Sequence, residues 1–316
     1  MRVNLEQAVA KLKNGEAVAI PTETVYGLAA DARNETALRQ IYAIKERPAS
    51  NPLIVHLGSS EQVSDWAEEF PPLAQQLASA FWPGPFTLVL PAKDTVSNVV
   101  RAGEPTVALR VPAHPITQQL LQQSGLGLAA PSANKYTQLS PTTAQHVEQS
   151  LGQHVPVLDG GACKVGIEST IVAVNGNQWH LLRLGMVAEE DIIAVAGKLA
   201  LSSVQNLPKA PGQHLLHYSP ATPIQLFDSK AGLLAFAETQ SNYAALLIGD
   251  GTIKNGSTYH LPNNPEEMAE SLYDTLHQMD SLNVALLLIE MPPKQSEWLA
   301  IRDRLRRASY TPSPDI

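Results

Sequence analysis

The chain has 316 residues, of which 44% are hydrophobic and only 16% charged, and its formal net charge is −8. An acidic total argues against a protein that grips nucleic acid by its phosphates, because that task calls for a basic face. With Cys163 as the single cysteine no intrachain disulfide can form, which fits a reducing, cytoplasmic setting. No run of about 18 apolar residues marks a membrane span, and the opening M-R-V-N-L-E-Q-A-V-A lacks the apolar core of a secretory signal.

The first 195 residues alternate short apolar runs with helical patterns. Ala17–Ile20, Leu53–Val55, Thr87–Leu90, Val107–Leu109 and Thr170–Val174 have strand length, while Glu35–Ile44 and Pro71–Ala80 repeat with helical period. Residues 196–223 change character: they are rich in proline, weakly periodic and linker-like, yet they carry His214, His217 and Tyr218. Beyond them, Ile224–Phe227, Tyr243–Ile248 and Val284–Ile289 read as strands, and Ser229–Glu238 and Glu297–Arg307 as helices. Asn264-Pro265-Glu266-Glu267 is a helix start, with a capping Asn, Pro at the first helical position and an acid soon after. Met268, Leu272, Leu276 and Met279 then mark one apolar face. The predicted organisation is α/β throughout: a domain over 1–195, a linker over 196–223 and a small α/β unit over 224–316. The one dense basic run, Arg302 to Arg307, reads as a solvated face of the last helix rather than as a nucleic-acid patch.

Several familiar devices are missing. There is no G-x-x-x-x-G-K-[ST] phosphate loop, no H-E-x-x-H metal helix and no G-x-S-x-G elbow, and one cysteine cannot build a thiolate zinc site. Four polar constellations remain. The first is Thr22, Glu23, Thr24 and Tyr26, and the second is Lys45 and Arg47 with Asn51 and His56. The third is Ser132 and Asn134 with Ser140, and the fourth is Ser169 and Thr170 leading to Arg183; Thr106 and Arg110 flank an apolar run between the second and third. Each alone has an ordinary explanation, as a helix cap, a surface charge, a turn or a buried structural histidine. Together they concentrate guanidinium, ammonium, hydroxyl and amide groups just beyond apolar runs, where α/β proteins bind ligands. That set suits a polyphosphate and a small carboxylic acid.

The motifs P-T-E-T-V-Y-G-L, K-x-R-P-x(2)-N-P-L-x-V-H, F-W-P-G-P-F-T-L, A-L-R-V-P, P-S-A-N and G-x-x-S-T occur in the order seen in YrdC-like proteins. The chain resembles the L-threonylcarbamoyladenylate synthase family in its longer, two-domain form. The resemblance implies a twisted mixed sheet around a large concave cleft, with a smaller Rossmann-like domain joined by the Pro-rich linker. It implies a nucleotidyltransferase that makes threonylcarbamoyl-adenylate from L-threonine, bicarbonate and ATP, with Mg²⁺ carried on the ATP, and releases pyrophosphate. The product then serves a separate transferase that modifies tRNA, with at most weak tRNA contact by this chain. By motif position, Thr24, His56, Arg110 and Ser169 match threonine-binding residues. Lys45 and Arg47, as the catalytic cations, match the signature beside the phosphates together with Ser132 and Asn134. Asn51, Thr106, Ser140 and Arg183 match other ATP contacts. In the linker, A-P-G-Q-H-L-L-H-Y-S-P departs from the family pattern at Gln213 and Leu216 but keeps the His217-Tyr218 pair, which carries Tyr218 to the nucleotide set. The metal ligands are left open. The alternatives are an RNA-binding module, or a carbamoyl-adenylate-forming transferase of the hydrogenase-maturation kind, whose extra parts this chain lacks.

Overall fold

The computed structural model describes residues 1–198, 207–212 and 217–310. It divides into two compact units: residues 1–136 with 141–213, and residues 137–140 with 214–316.

Unit one carries strands β1 (Arg2–Val3), β2 (Val18–Ile20), β3 (Gly27–Asp31), β4 (Ile54–His56), β5 (Phe86–Pro91), β6 (Thr106–Arg110), β7 (Leu128–Ala129), β8 (Val157–Leu158), β9 (Thr170–Asn175) and β10 (Gln178–Arg183). They form one mixed sheet in the order β1-β8-β2-β3-β7-β4-β6-β5-β9-β10. Parallel pairs (β4 with β6, β5 with β9) occur beside antiparallel ones such as β3 with β7 and β5 with β6. Strands buried on both faces need continuous apolar runs; Val18–Ile20 and most of Phe86–Leu90 are such runs and are buried. The main core gathers Leu28, Leu38, Ile41, Val55, Leu77, Phe86, Leu88 and Leu109. Helix Glu35–Lys45 starts where Asn34 accepts the amide of Ala37 and ends at Glu46, a left-handed cap with φ 54°.

Unit two holds β11 (Ile224–Phe227), β12 (Tyr243–Ile248), β13 (Ser257–Leu261) and β14 (Leu286–Glu290), all parallel, in the order β11-β14-β12-β13. Helix Pro265–Asp280 is capped by Asn264, whose side chain accepts the amide of Glu267, and it buries Met268, Leu272, Leu276 and Met279 as its spacing requires. The last helix is Leu299–Ala308, preceded by a 3₁₀ turn over Ser296–Trp298. The solvated reading of its basic run is corrected here. Arg302 and Arg304 are buried: Arg302 donates to Asp228 and to the Pro292 carbonyl, and the Arg304 guanidinium lies 5.0 Å from the Tyr218 ring centre. Their stems fill the inner face of the helix, and their heads find partners inside the unit.

Candidate active site

The segment after β2 folds on itself before it offers anything. Thr22 Oγ1 donates to the Val25 carbonyl at 2.6 Å and accepts the amides of Thr24 and Val25, each at 3.2 Å. Tyr26 points inward: its hydroxyl donates to the Gly161 carbonyl at 2.8 Å and accepts the Gly160 amide at 3.1 Å. Burial pushes its phenol pKa well up, so it stays a donor. Gly27 opens β3, where an added Cβ would meet the Ala130 Cβ at 3.0 Å, so glycine is needed for close strand approach.

Glu23 and Thr24 are what this loop delivers. Arg110, at the end of β6, donates to Glu23 Oε1 at 2.6 Å, to Thr24 Oγ1 at 3.0 Å and to the Gly84 carbonyl at 3.1 Å. The second Glu23 oxygen accepts the Ala113 amide at 2.9 Å. Both side chains are withdrawn from water, with 4% of Arg110 and 10% of Glu23 exposed. Burial alone would raise the Glu23 carboxyl pKa, but the Arg110 charge and hydrogen bond, with backbone donors, hold it below its ordinary value.

His56 ends β4, directly opposite Arg110 in the parallel β4–β6 register. Its ring is buried and Nδ1 finds no hydrogen-bond partner in the protein. Burial, and secondarily the Arg110 charge, pull its pKa down to about 3, so the ring is neutral. A buried ring nitrogen without a partner is costly unless something else meets it.

The segment after the cis Trp82–Pro83 bond links this cluster to Ser169, because Gly84 receives Arg110 while the Pro85 carbonyl accepts the Thr170 amide. Ser169 Oγ shares a hydrogen bond with Thr87 Oγ1 at 2.8 Å and accepts from Arg183 Nη2 at 3.0 Å. Arg183 also clamps the Ser169 carbonyl through Nε and Nη2 and donates to the Pro211 carbonyl at 3.2 Å. Gly185 makes that approach possible: a Cβ there would lie 2.3 Å from the Thr170 nitrogen. Cys163, beside Thr22 and Glu23, is buried, and burial pushes its thiol pKa up to about 12.

A second group forms around Lys45. Its Nζ donates to the Ser132 and Asn134 carbonyls, tying the P-S-A-N turn to the end of helix Glu35–Lys45. Burial, then the Arg47 and Lys135 charges, drive its pKa well below the ordinary lysine value. Arg47 donates to the Pro52 carbonyl at 3.2 Å, and its guanidinium lies 6.0 Å from the Tyr136 ring centre. Asn51 donates to the Tyr136 hydroxyl at 3.2 Å, and Asn134 to the Lys135 carbonyl at 2.8 Å. Within P-S-A-N, Ser132 bridges to Gly27, and the next helix starts only at Ala144. Thr106 stands at the start of β6, paired with Pro91.

Two candidates fall in unit two. The Ser140 carbonyl accepts from His277 Nε2 at 3.1 Å. Tyr218 takes φ 62° and is buried, with Arg304 over its ring and the Tyr273 ring 5.9 Å away. Gln213, His214 and Leu216 lie outside the described residues. The sequence places Glu23 in the first constellation without giving it a role, and Gly84 and Thr87 sit inside the quoted F-W-P-G-P-F-T-L motif without being singled out; Tyr136 carries no local signal. Among the described residues no group of three or more His, Cys, Asp or Glu is placed to hold a metal ion, and no helix is long and apolar enough to cross a membrane.

Comparison with known proteins places this arrangement. The family model Sua5_yciO_yrdC, described as telomere recombination, matches residues 10–185, and the model described as threonylcarbamoyl-AMP synthase, C-terminal domain, matches residues 187–309. A curated threonylcarbamoyl-AMP synthase of Pyrococcus abyssi is 37% identical over 94% of this chain and 92% of its own length. One from Bacillus subtilis is 38% identical over 96% and 92%. The crystal structure of P. abyssi Sua5 complexed with L-threonine superposes with a TM-score of 0.88 at 34% identity, covering 98% of this chain and 96% of that one. The chain belongs to the Sua5/YciO/YrdC family, in the long form that carries the C-terminal domain of threonylcarbamoyl-AMP synthases.

Proposed function

We propose that this chain is a threonylcarbamoyl-AMP synthase acting in the cytoplasm, and that it makes L-threonylcarbamoyladenylate from L-threonine, bicarbonate and ATP with release of pyrophosphate. The observation that carries the reading is the buried cluster of Arg110, Glu23, Thr24 and His56, in a chain similar over nearly its whole length to a relative solved with L-threonine. In this reading Arg110 takes the threonine carboxylate, and Thr24, Ser169 and the free Nδ1 of His56 take its remaining polar groups. With a pKa near 3, His56 is a poor proton acceptor and serves as a binding group.

The threonine amine first joins bicarbonate with loss of water, giving a carbamate. A carbamate oxygen then bonds to the α-phosphorus of ATP while the bond to the pyrophosphate oxygen breaks. No covalent enzyme intermediate is needed. The protein's task is to bring two anions together in line and to stabilise charge on the transferring group. We assign that to Lys45, Arg47 and Arg183, with Mg²⁺ arriving on the ATP. Asn51, Thr106, Ser132, Asn134 and Ser140 complete the ATP contacts, and Tyr218 joins them on its family motif. The catalytic domain is assigned to residues 1–195 and the linker to 196–223. The product passes to a separate tRNA threonylcarbamoyl transferase.

The test is pyrophosphate release from ATP with threonine and bicarbonate added singly and together. Release that requires both supports the synthase. Release with neither, or none alongside tight RNA binding that weakens steeply with salt, would replace it with another function.

A further inference from the structure

Unit two has a cavity that the synthase reading leaves unused. It lies at the carboxyl edge of the four-stranded parallel sheet, and every strand contributes to its lining: Asp228 follows β11, Ile248 ends β12, Asn263 follows β13 and Glu290 ends β14. Its volume is 340 Å³, at the lower end of pockets that hold small molecules, which run from roughly 300 Å³ upward. The carboxyl edge is where open α/β sheets take their ligands, because loops from several strands converge there. At the other edge of the sheet, the amides of Ala221 and Thr222 donate to Asp280 just before β11.

The charges in the cavity are asymmetric. The Arg302 side chain is 4% exposed, but the carboxylate it holds at 3.1 Å, Asp228, is 67% exposed. Lys294 stands 3.8 Å from the other Asp228 oxygen. The hydrogen bond from Arg302 and the charges of Lys294, Arg302 and Arg306 hold the Asp228 pKa below its ordinary value. In the ion pair of Arg110 and Glu23, by contrast, both partners are buried. Asp228 instead reaches in from solvent to occupy a cationic seat. The second acid, Glu290, is committed elsewhere: it accepts the Ile248 amide at 2.9 Å and lies 3.7 Å from Lys230, whose ammonium also donates to the Ile248 and Asp250 carbonyls. Asn263 supplies amide donors, and Ile248, Met291, Pro292 and Pro293 give an apolar wall.

We propose that this cavity is a binding site for a small metabolite with a phosphate or carboxylate terminus, and that the anion takes the place of the Asp228 carboxylate against Arg302 and Lys294. Asp228 is then a displaceable internal competitor, and its removal tightens binding. This stands independently of the synthase reading.

The test is equilibrium dialysis of the full chain against inorganic phosphate and, separately, against acetate. Arg302→Met removes the guanidinium at similar length, and Asp228→Asn removes the competing charge at an exposed position. The expected results are a saturable site weakened tenfold or more by Arg302→Met and tightened several-fold by Asp228→Asn, with pyrophosphate release unchanged in both. Phosphate binding alone assigns a phosphoryl group, acetate alone a carboxylate, and mutual competition either oxyanion. Should Arg302→Met fail to fold, Asp228→Asn still decides. Weaker or unaltered anion binding in Asp228→Asn overturns the proposal, as does binding of neither anion.

Discussion

The buried pair of Glu23 and Arg110 gives the sharpest energetic prediction. Changing Glu23 to Gln keeps the shape and an acceptor for the Ala113 amide but leaves a guanidinium in a site of which only 4% is exposed. Removing one partner of a buried pair costs about 3–5 kcal/mol, mainly because the other charge stays buried without compensation. Arg110→Met should cost a similar amount, since it strands Glu23 and also leaves the Gly84 carbonyl and Thr24 Oγ1 without their donors. In the double variant neither charge is left. The Gly84 and Thr24 losses occur with and without Glu23, so they cancel in the cycle, and a coupling of about 2–3 kcal/mol should remain. Urea unfolding of the four proteins at pH 7, read by tryptophan fluorescence and circular dichroism together, measures it. The sign with pH also follows. The folded Glu23 pKa lies below its unfolded value, so the pair's contribution is complete above the unfolded carboxylate pKa of about 4.3 and is lost as the pH falls through the folded value. Single costs below about 1 kcal/mol, or additive ones, would show that the pair is solvated in solution and refute the reasoning.

His56 works through the neutral form. Its folded pKa of about 3 lies below the ordinary histidine value, so stability should fall by about 1.4 kcal/mol per pH unit below about 6.5, down to the folded pKa. His56→Asn should flatten that slope in urea midpoints taken between pH 7 and 5. An unchanged slope would mean that other groups set it. Gly27→Ala forces a Cβ to 3.0 Å from Ala130 and should lower stability by about 1–3 kcal/mol; no loss on thermal unfolding would show that β3 can shift. If Arg47 contacts the reacting phosphates, Arg47→Ala should cost about 2–4 kcal/mol of transition-state stabilisation. A loss of turnover below about tenfold would place it at the periphery.

The long periodic elements were legible because one physical signal fixed each. The helix Pro265–Asp280 shows its cap and its apolar face in the letters, and the central strands show continuous apolar runs. Short or half-exposed strands were not legible. Gly27–Asp31 hides behind a glycine and small residues, and Gln178–Arg183 and Ser257–Leu261 are largely polar or half-exposed and follow Gly-Asn and Asn-Gly turns. At the site, residue types pointed to a class of ligand, but partners did not follow from them. Tyr26 stands in a polar constellation in the letters and is an internal brace in the fold, because its hydroxyl finds Gly160 and Gly161 more than 130 residues on. Thr87 meets Ser169 only because β5 and β9 pair in parallel. The arginines of the last helix show the same limit. Burial of Arg302 and Arg304 depends on Asp228 and Tyr218, and nothing in R-D-R-L-R-R announces them.

The single thiol, Cys163, turns the fold into its own clock. It is buried, and its pKa near 12 leaves almost no thiolate at neutral pH. A thiol reagent can therefore modify the native chain only during openings that expose this residue. The modification rate under native conditions, compared with that of the unfolded chain, reads the free energy of that opening directly. Because Thr22 and Glu23 lie beside the thiol, the same reading taken with and without threonine reports how far a bound substrate locks this corner of unit one, with no label added.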